Sequence, residues 1–346
     1  MRPLKVAIDC PWSRIVIACR RLCCNNGFIM GGHSRKWTEQ QVPDVTGKKA
    51  LVTGANSGLG FETARVLAAR GAHVLLGCRN RDKADTAMEA IRAHAPGASL
   101  ELVQMDLSSL ESVRQAAEQV RGHHDHLDLL INNAGVMWLP PMRTEDGFEM
   151  HFGTNHLGHF ALTGPLLPLL RDTPGARIVT LSSIGHRMGR IHFDDLNLEH
   201  GDGKQKPYSQ SKLANLLFAH ELQRRLQAAG AQAISVAAHP GIAGTNLATP
   251  ALEKTGPQWL ARLTARLAPV LARPPVQGAL PTLYAATAPV VNGGDYMGPD
   301  GPWEITGYPA KGRSSKHALD PHLARRLWSV SEELTGVAYD LPSTSS

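Results

Sequence analysis

From Lys48 onward, short apolar runs alternate with longer stretches in which apolar residues recur every three or four positions. The runs are KALVT (49–53), HVLLG (73–77), LELVQ (100–104), LDLLIN (127–132), ARIVTLS (176–182) and AISVAA (233–238). Between them the spacing predicts helices over 61–70, 81–94, about 108–121, a stretch ending near 171, and about 207–229. Strands apolar at successive positions are covered on both faces, and strands separated by helices pair in parallel. The pattern predicts one α/β domain of doubly wound Rossmann type, with a mainly parallel seven-stranded sheet and helices on both faces.

Where the rhythm fails, the boundaries follow. Residues 1–46 carry no sustained period and read as a flexible N-terminal extension, of which 1–29, ahead of Met30, reads as an artefact of an upstream start codon. The Rossmann domain then occupies 47–315, and 316–346 reads as a C-terminal helix and tail. Pro250, Pro257, Pro269, Pro274 and Pro275 interrupt the segment 243–290, in which Trp259, Leu260, Leu263, Leu267, Val270 and Leu271 form an apolar stripe. That segment reads as a lid over a substrate, as a helix packed on the sheet, or as a membrane-surface contact.

Composition narrows the function classes. With 346 residues and 42% hydrophobic content the chain can bury a substantial core. Its formal net charge of +6 is scattered without aromatic interleaving, which argues against nucleic acid as a partner. Four of five cysteines (Cys10, Cys19, Cys23, Cys24) crowd the N-terminus and only Cys78 lies beyond, so no disulfide framework is expected and a reducing, cytoplasmic location is. No apolar run reaches the length of a membrane span, and no metal site is expected. His123, His124 and His126 fall at the amino end of the fourth strand, away from a Rossmann crevice, and read as loop residues.

The chemistry gathers after the strands. TGANSGLG places Gly54, Asn56, Ser57, Gly58, Leu59 and Gly60 between the first strand and an amphipathic helix. A bare turn there lets backbone amides and a helix N-terminus meet a pyrophosphate, so a dinucleotide is the expected cofactor. The second strand ends in LLGCRNR, with Arg79 and Arg81 where a carboxylate would select NAD; NADP(H) is therefore favoured over NAD(H). Asp106 and Leu107 follow the third strand, Asn132 to Gly135 the fourth, Ser182 and Ser183 the fifth, and Pro240, Gly241 and Thr245 the sixth. In YSQSK, Tyr208 and Lys212 share a helix face, where a fixed ammonium would lower the pKa of a phenol. Alone, that pair reads as an exposed helix turn. His156, His159 and His186 sit near the expected site, His186 reading either as a pocket residue or as a structural histidine.

Taken together, TGANSGLG, NNAG, Asn155, Ser183 and YSQSK resemble the short-chain dehydrogenase/reductase family over about 48–310. TNHLGHF, SSIGHR, YSQSKLANLLF and HPG are most similar to its retinol dehydrogenase and WW-domain oxidoreductase group. The resemblance implies an alcohol/carbonyl oxidoreductase for a small, apolar substrate, with Ser183, Tyr208, Lys212 and Asn155 as its catalytic set. It further implies that Asp106 contacts the adenine, that Asn133, Ala134 and Gly135 lie along the cofactor, and that Tyr208 and Lys212 also touch it. Of the adjacent serines, the second is the one that group uses. A homo-oligomer built on the helices after the fourth and fifth strands is compatible with the family. Two alternatives share the fold: an epimerase or dehydratase, and a non-catalytic nucleotide-sensing regulator.

Overall fold

The computed structural model describes residues 36–199, 205–241 and 275–343. Its strands are β1 (Lys49–Thr53), β2 (His73–Cys78), β3 (Ser99–Gln104), β4 (Leu129–Asn132), β5 (Arg177–Leu181), β6 (Ile234–Ala238), β7 (Tyr296–Pro299) and β8 (Pro309–Lys311). The helices are α1 (Gly58–Ala69), α2 (Arg81–His94), α3 (Leu110–His123), α4 (Gly158–Arg171), α5 (Gln205–Ala228), α6 (Pro275–Thr287) and α7 (Pro321–Thr335). The sheet order is β3-β2-β1-β4-β5-β6-β7-β8, so the chain reverses direction of travel between β1 and β4. In such a sheet the ligand crevice opens at the carboxyl ends of the strands beside that reversal.

Alternate positions of each strand face different layers. Val52, Val74, Leu76, Ile131 and Val179 pack against α1, α2 and α6, whereas Leu51, Leu75, Leu130 and Ile178 pack against α3, α4 and α5. Both faces are apolar, as the runs require.

Three expectations are corrected. The sheet has eight strands, because β8 adds an antiparallel edge to β7; three residues starting at Pro309 are too few to show alternation in sequence. The domain begins before residue 47: Val42 and Val45 are buried, and Trp37 meets Tyr284 edge-on at 5.1 Å between ring centroids. A helix, α7, lies within 316–346 where a C-terminal helix is expected, and it packs on the domain: Trp328 stacks on Phe218 and the Tyr339 hydroxyl donates to the Phe160 carbonyl at 2.7 Å. Finally, the 275–290 part of the expected lid is core, with Ala279, Leu280, Leu283 and Ala285 of α6 buried against the sheet and α1. The extension 1–35, the N-terminal cysteines, the apolar stripe and Thr245 lie outside the described residues, as do 344–346. Among the described residues, no helix is long and apolar enough to cross a membrane.

Candidate active site

β1 runs into the glycine turn, and its geometry shows why side chains are absent there. Gly54 and Gly58 have φ of +67° and +55°, the left-handed region that β-carbons disfavour. A Cβ on Gly60 would overlap the Gly54 carbonyl and reach within 2.5 Å of Asn133 Nδ2. The N-cap Ser57 makes no side-chain bond to the first turn of α1, so no capping side chain occupies its leading amides. Cys78, buried beneath the turn against the Ala55 and Asn56 amides, is pushed up to about 11 by burial. These residues fit a dinucleotide pyrophosphate: a backbone cradle that a methyl group would fill, at an uncapped helix N-terminus. Asn56 and Leu59 lie in the same turn.

Thr53 ties this turn to β4. Its hydroxyl accepts from the amides of Asn133 and Ala134, both at 2.9 Å, while the Asn133 side chain donates to the Thr53 carbonyl at 2.7 Å. The Asn133 amide group is thus committed to the scaffold. At the ends of β2 and β3, Arg79 is exposed and makes a single 3.3 Å contact with Asp106, whose other oxygen accepts from the Ser108 amide and hydroxyl. Leu107 is buried, and its carbonyl lies against Gly158 of α4. After β6, Gly241 has φ +71° and a Cβ there would overlap the Ile305 carbonyl, so Pro240 and Gly241 run close to the β7–β8 connection.

The residues expected to be catalytic converge on one spot. Ser183 caps the short 3₁₀ turn Ile184–Met188, its hydroxyl oxygen accepting from the Gly185 amide at 3.1 Å, and its hydroxyl lies close enough to Tyr208 to act on the phenol. A Cβ on Gly185 would sit 3.4 Å from the Tyr208 ring and 3.5 Å from Ser183 Oγ. The neighbouring Ser182 is buried and donates to the Lys212 carbonyl at 2.7 Å, which leaves Ser183 as the serine facing the phenol. Lys212 is buried too, with Nζ donating to the Leu181 carbonyl at 3.2 Å and lying 5.8 Å from the Tyr208 ring centroid. Burial draws Lys212 down to about 8. The exposed-turn reading of this pair therefore fails.

The expected lowering of the Tyr208 pKa is not seen. Burial raises it, and the Ser183 hydrogen bond only partly opposes that. Lys212 is not among the influences on the phenol: its ammonium donates to the Leu181 carbonyl and stands 5.8 Å from the Tyr208 ring centroid.

Asn155 lies in a π turn, Gly153–Leu157, where the Gly158 amide reaches back to the Gly153 carbonyl. Such turns are rare and concentrate at functional sites. Its side chain accepts from the Val136 amide at 2.7 Å and donates to the Val136 carbonyl and to Ser211 Oγ. Asn155 Oδ1 and Lys212 Nζ would stand 3.2 and 3.3 Å from a Cβ on Gly135, so both flank the same point of backbone. Behind them His159 spans from the Asn155 carbonyl to Thr53. His186 is structural: Nδ1 donates to the Ser183 carbonyl at 2.6 Å and Nε2 accepts from the Ser315 amide. Thr53 and His159 were not singled out for roles from sequence, and a threonine ending a strand carries no signal of such a contact.

The short chain dehydrogenase family profile matches residues 48–256. Human retinol dehydrogenase 14 is 41% identical over 310 residues, covering 84% of this chain and 87% of its own. Human retinol dehydrogenase 13 is 40% identical over 301 residues, covering 85% and 86%. Among solved structures, an uncharacterized protein from Mycobacterium Paratuberculosis is 40% identical with a TM-score of 0.73, covering 89% of this chain and 100% of that one.

Proposed function

This chain belongs to the short-chain dehydrogenase family and is an NAD(P)-dependent oxidoreductase acting on CH–OH groups; from that premise we propose an NADP(H)-preferring enzyme that interconverts an apolar alcohol and its carbonyl. The observation that carries the reading is the convergence of Ser183, Tyr208 and Lys212 at the carboxyl ends of the strands, beside the glycine turn. The bound nicotinamide supplies or accepts the hydride. The chain's own residues handle the oxygen and its proton.

Ser183 has its oxygen lone pair engaged by the Gly185 amide, so its proton is left to donate. In the free chain it points to Tyr208; with substrate present, both hydroxyls donate to the substrate oxygen and stabilise alkoxide character. Tyr208 is the proton donor in reduction and the acceptor in oxidation. Raised by burial, it favours the protonated form, which suits reduction. Lys212 uses one proton on Leu181 and has two more to hold cofactor and relay charge. Asn155, flanking the same point as Lys212, anchors the outward end of the relay.

Arg79, exposed at the end of β2 with one long contact to Asp106, is available for a 2′-phosphate and supports the NADP preference. The retinol dehydrogenase relatives support an apolar alcohol. A panel of carbonyls and alcohols assayed with NADPH and NADH, on wild type and Tyr208→Phe, tests the reading. Tyr208→Phe should lose about 10²- to 10⁴-fold in kcat. Equal turnover by the two proteins would refute the tyrosine's role, and an NADH preference would refute that of Arg79.

A further inference from the structure

At the amino ends of the strands, opposite the glycine turn, side chains from three elements meet at one carboxylate. In the β2–β3 ladder His73 pairs with Ser99 and Leu75 with Glu101, which puts His73 and Glu101 on one face. The helix α3 covers that face, its Val113, Ala116, Ala117 and Val120 sharing a cluster with Leu75. Its last residue, His123, and its capping residue, His124, are thereby carried over Glu101. His73 Nε2 and His124 Nε2 lie 3.3 and 3.1 Å from Glu101 Oε2, and His123 Nδ1 lies 3.6 Å from Oε1. The other nitrogen of His73 is 2.7 Å from Ser99 Oγ, which orients the ring.

We propose that His73, Glu101 and His124, with His123 as the fourth ligand, bind a divalent transition metal of the zinc class. A tetrahedral zinc with bonds of 2.0–2.1 Å needs donors about 3.4 Å apart. The spans from the carboxylate to the three rings, 3.1 to 3.6 Å, bracket that separation. The ligand atoms of His73, Glu101 and His124 all lie within 4.8 Å of one another; His123 lies outside that group and, being 61% exposed, is the ring that rotates in to complete the set. Three imidazoles and one carboxylate suit zinc, cobalt or nickel, whereas calcium and magnesium take oxygen.

His126 stands outside the set, its nitrogens facing Asp125 at 2.7 Å and Asp128 at 3.6 Å, with Lys49 and Lys48 on the same two acids. Four protein ligands leave no open position, so the ion acts as a clip joining β2, β3 and the end of α3 rather than in hydride transfer.

The test uses the untagged full chain with Cys10, Cys19, Cys23 and Cys24 changed to serine, so that thiols cannot compete, stripped with EDTA and titrated with Zn²⁺ by calorimetry. One zinc per chain is expected, with a melting temperature that climbs with zinc concentration. Glu101→Gln and His124→Ala should each weaken binding at least about tenfold. Co²⁺ should give a tetrahedral visible spectrum without a thiolate charge-transfer band. Absence of saturable zinc binding, or binding unchanged in Glu101→Gln, overturns the proposal; should His124→Ala fail to fold by circular dichroism, Glu101→Gln decides alone.

Discussion

The Thr53 hydroxyl lies 2.8 Å from Nε2 of His159, and that contact joins the glycine turn to the Asn155 backbone. Nδ1 of the same ring faces the Asn155 carbonyl at 2.9 Å, an acceptor only, so Nδ1 carries the proton and Nε2 accepts from Thr53. Burial pushes His159 down to about 4, which keeps this neutral tautomer at physiological pH. His159→Leu removes both bonds. It should cost about 1–3 kcal/mol of stability in urea denaturation and loosen NADPH binding measured by fluorescence. His159→Asn, whose Nδ2 can reach the Asn155 carbonyl, should recover part of both. A leucine variant as stable and as tight-binding as wild type would rule out the bridge.

Lys212 predicts a trade of stability against activity. Its pKa of about 8 against 10.5 in the open chain means the unfolded state binds the proton more readily. Below pH 8 the buried ammonium therefore works against folding by up to about 3 kcal/mol, and that penalty fades as pH rises toward 10.5. Lys212→Met should melt higher than wild type at pH 7, with the difference closing above pH 10, while turnover falls by about 10² or more. A methionine variant that is both active and no more stable would contradict the assignment.

Acid should unfold the chain early. Burial holds His156 and His239 at about 3 and His159, His186 and His220 at about 4, against 6.5 when unfolded. Between pH 6.5 and 4 the unfolded state binds protons that the folded state refuses, so stability falls as pH falls. Each histidine contributes up to about 1.4 kcal/mol per pH unit. Thermal melts at pH 7, 6 and 5 should show a steep drop; a flat profile would mean that these rings are not held neutral.

Gly60→Ala should disrupt the phosphate turn, because the new methyl group overlaps backbone of Gly54 and cannot be relieved by rotating a side chain. NADPH affinity should fall by about 100-fold. Gly97→Ala, with nothing within 4 Å of its Cβ, should bind normally and serves as the control.

Replacing Arg79 with alanine should shift the ratio of NADPH to NADH specificity by roughly 10- to 100-fold toward NADH, read from kcat/KM for each. Asp106 loses an exposed partner in this variant, a loss small enough to leave folding intact. An unchanged ratio would show that the 2′-phosphate is read elsewhere.

The sequence by itself determined the layer order, the glycine turn and the residues around Tyr208, because these depend on local spacing: both-face apolar runs, positive-φ glycines, and an i, i+4 helix pair. It did not show β8 or the burial of Val42 and Val45, whose segments are too short for a period to emerge. It also left 275–290 ambiguous, since a lid segment and a helix packed on the sheet read alike until the partner, α1, is known. Only the tertiary structure could bring His159 from α4 to Thr53 of β1, 106 positions away, or His73, Glu101 and His124 to one point. Contacts of that kind depend on which strand lies beside which, and side-chain patterns within one element carry no record of it. The direction of the Tyr208 pKa was settled the same way: the helix placed Lys212 on the right face, but the fold decided how deeply both were buried and where the ammonium turned.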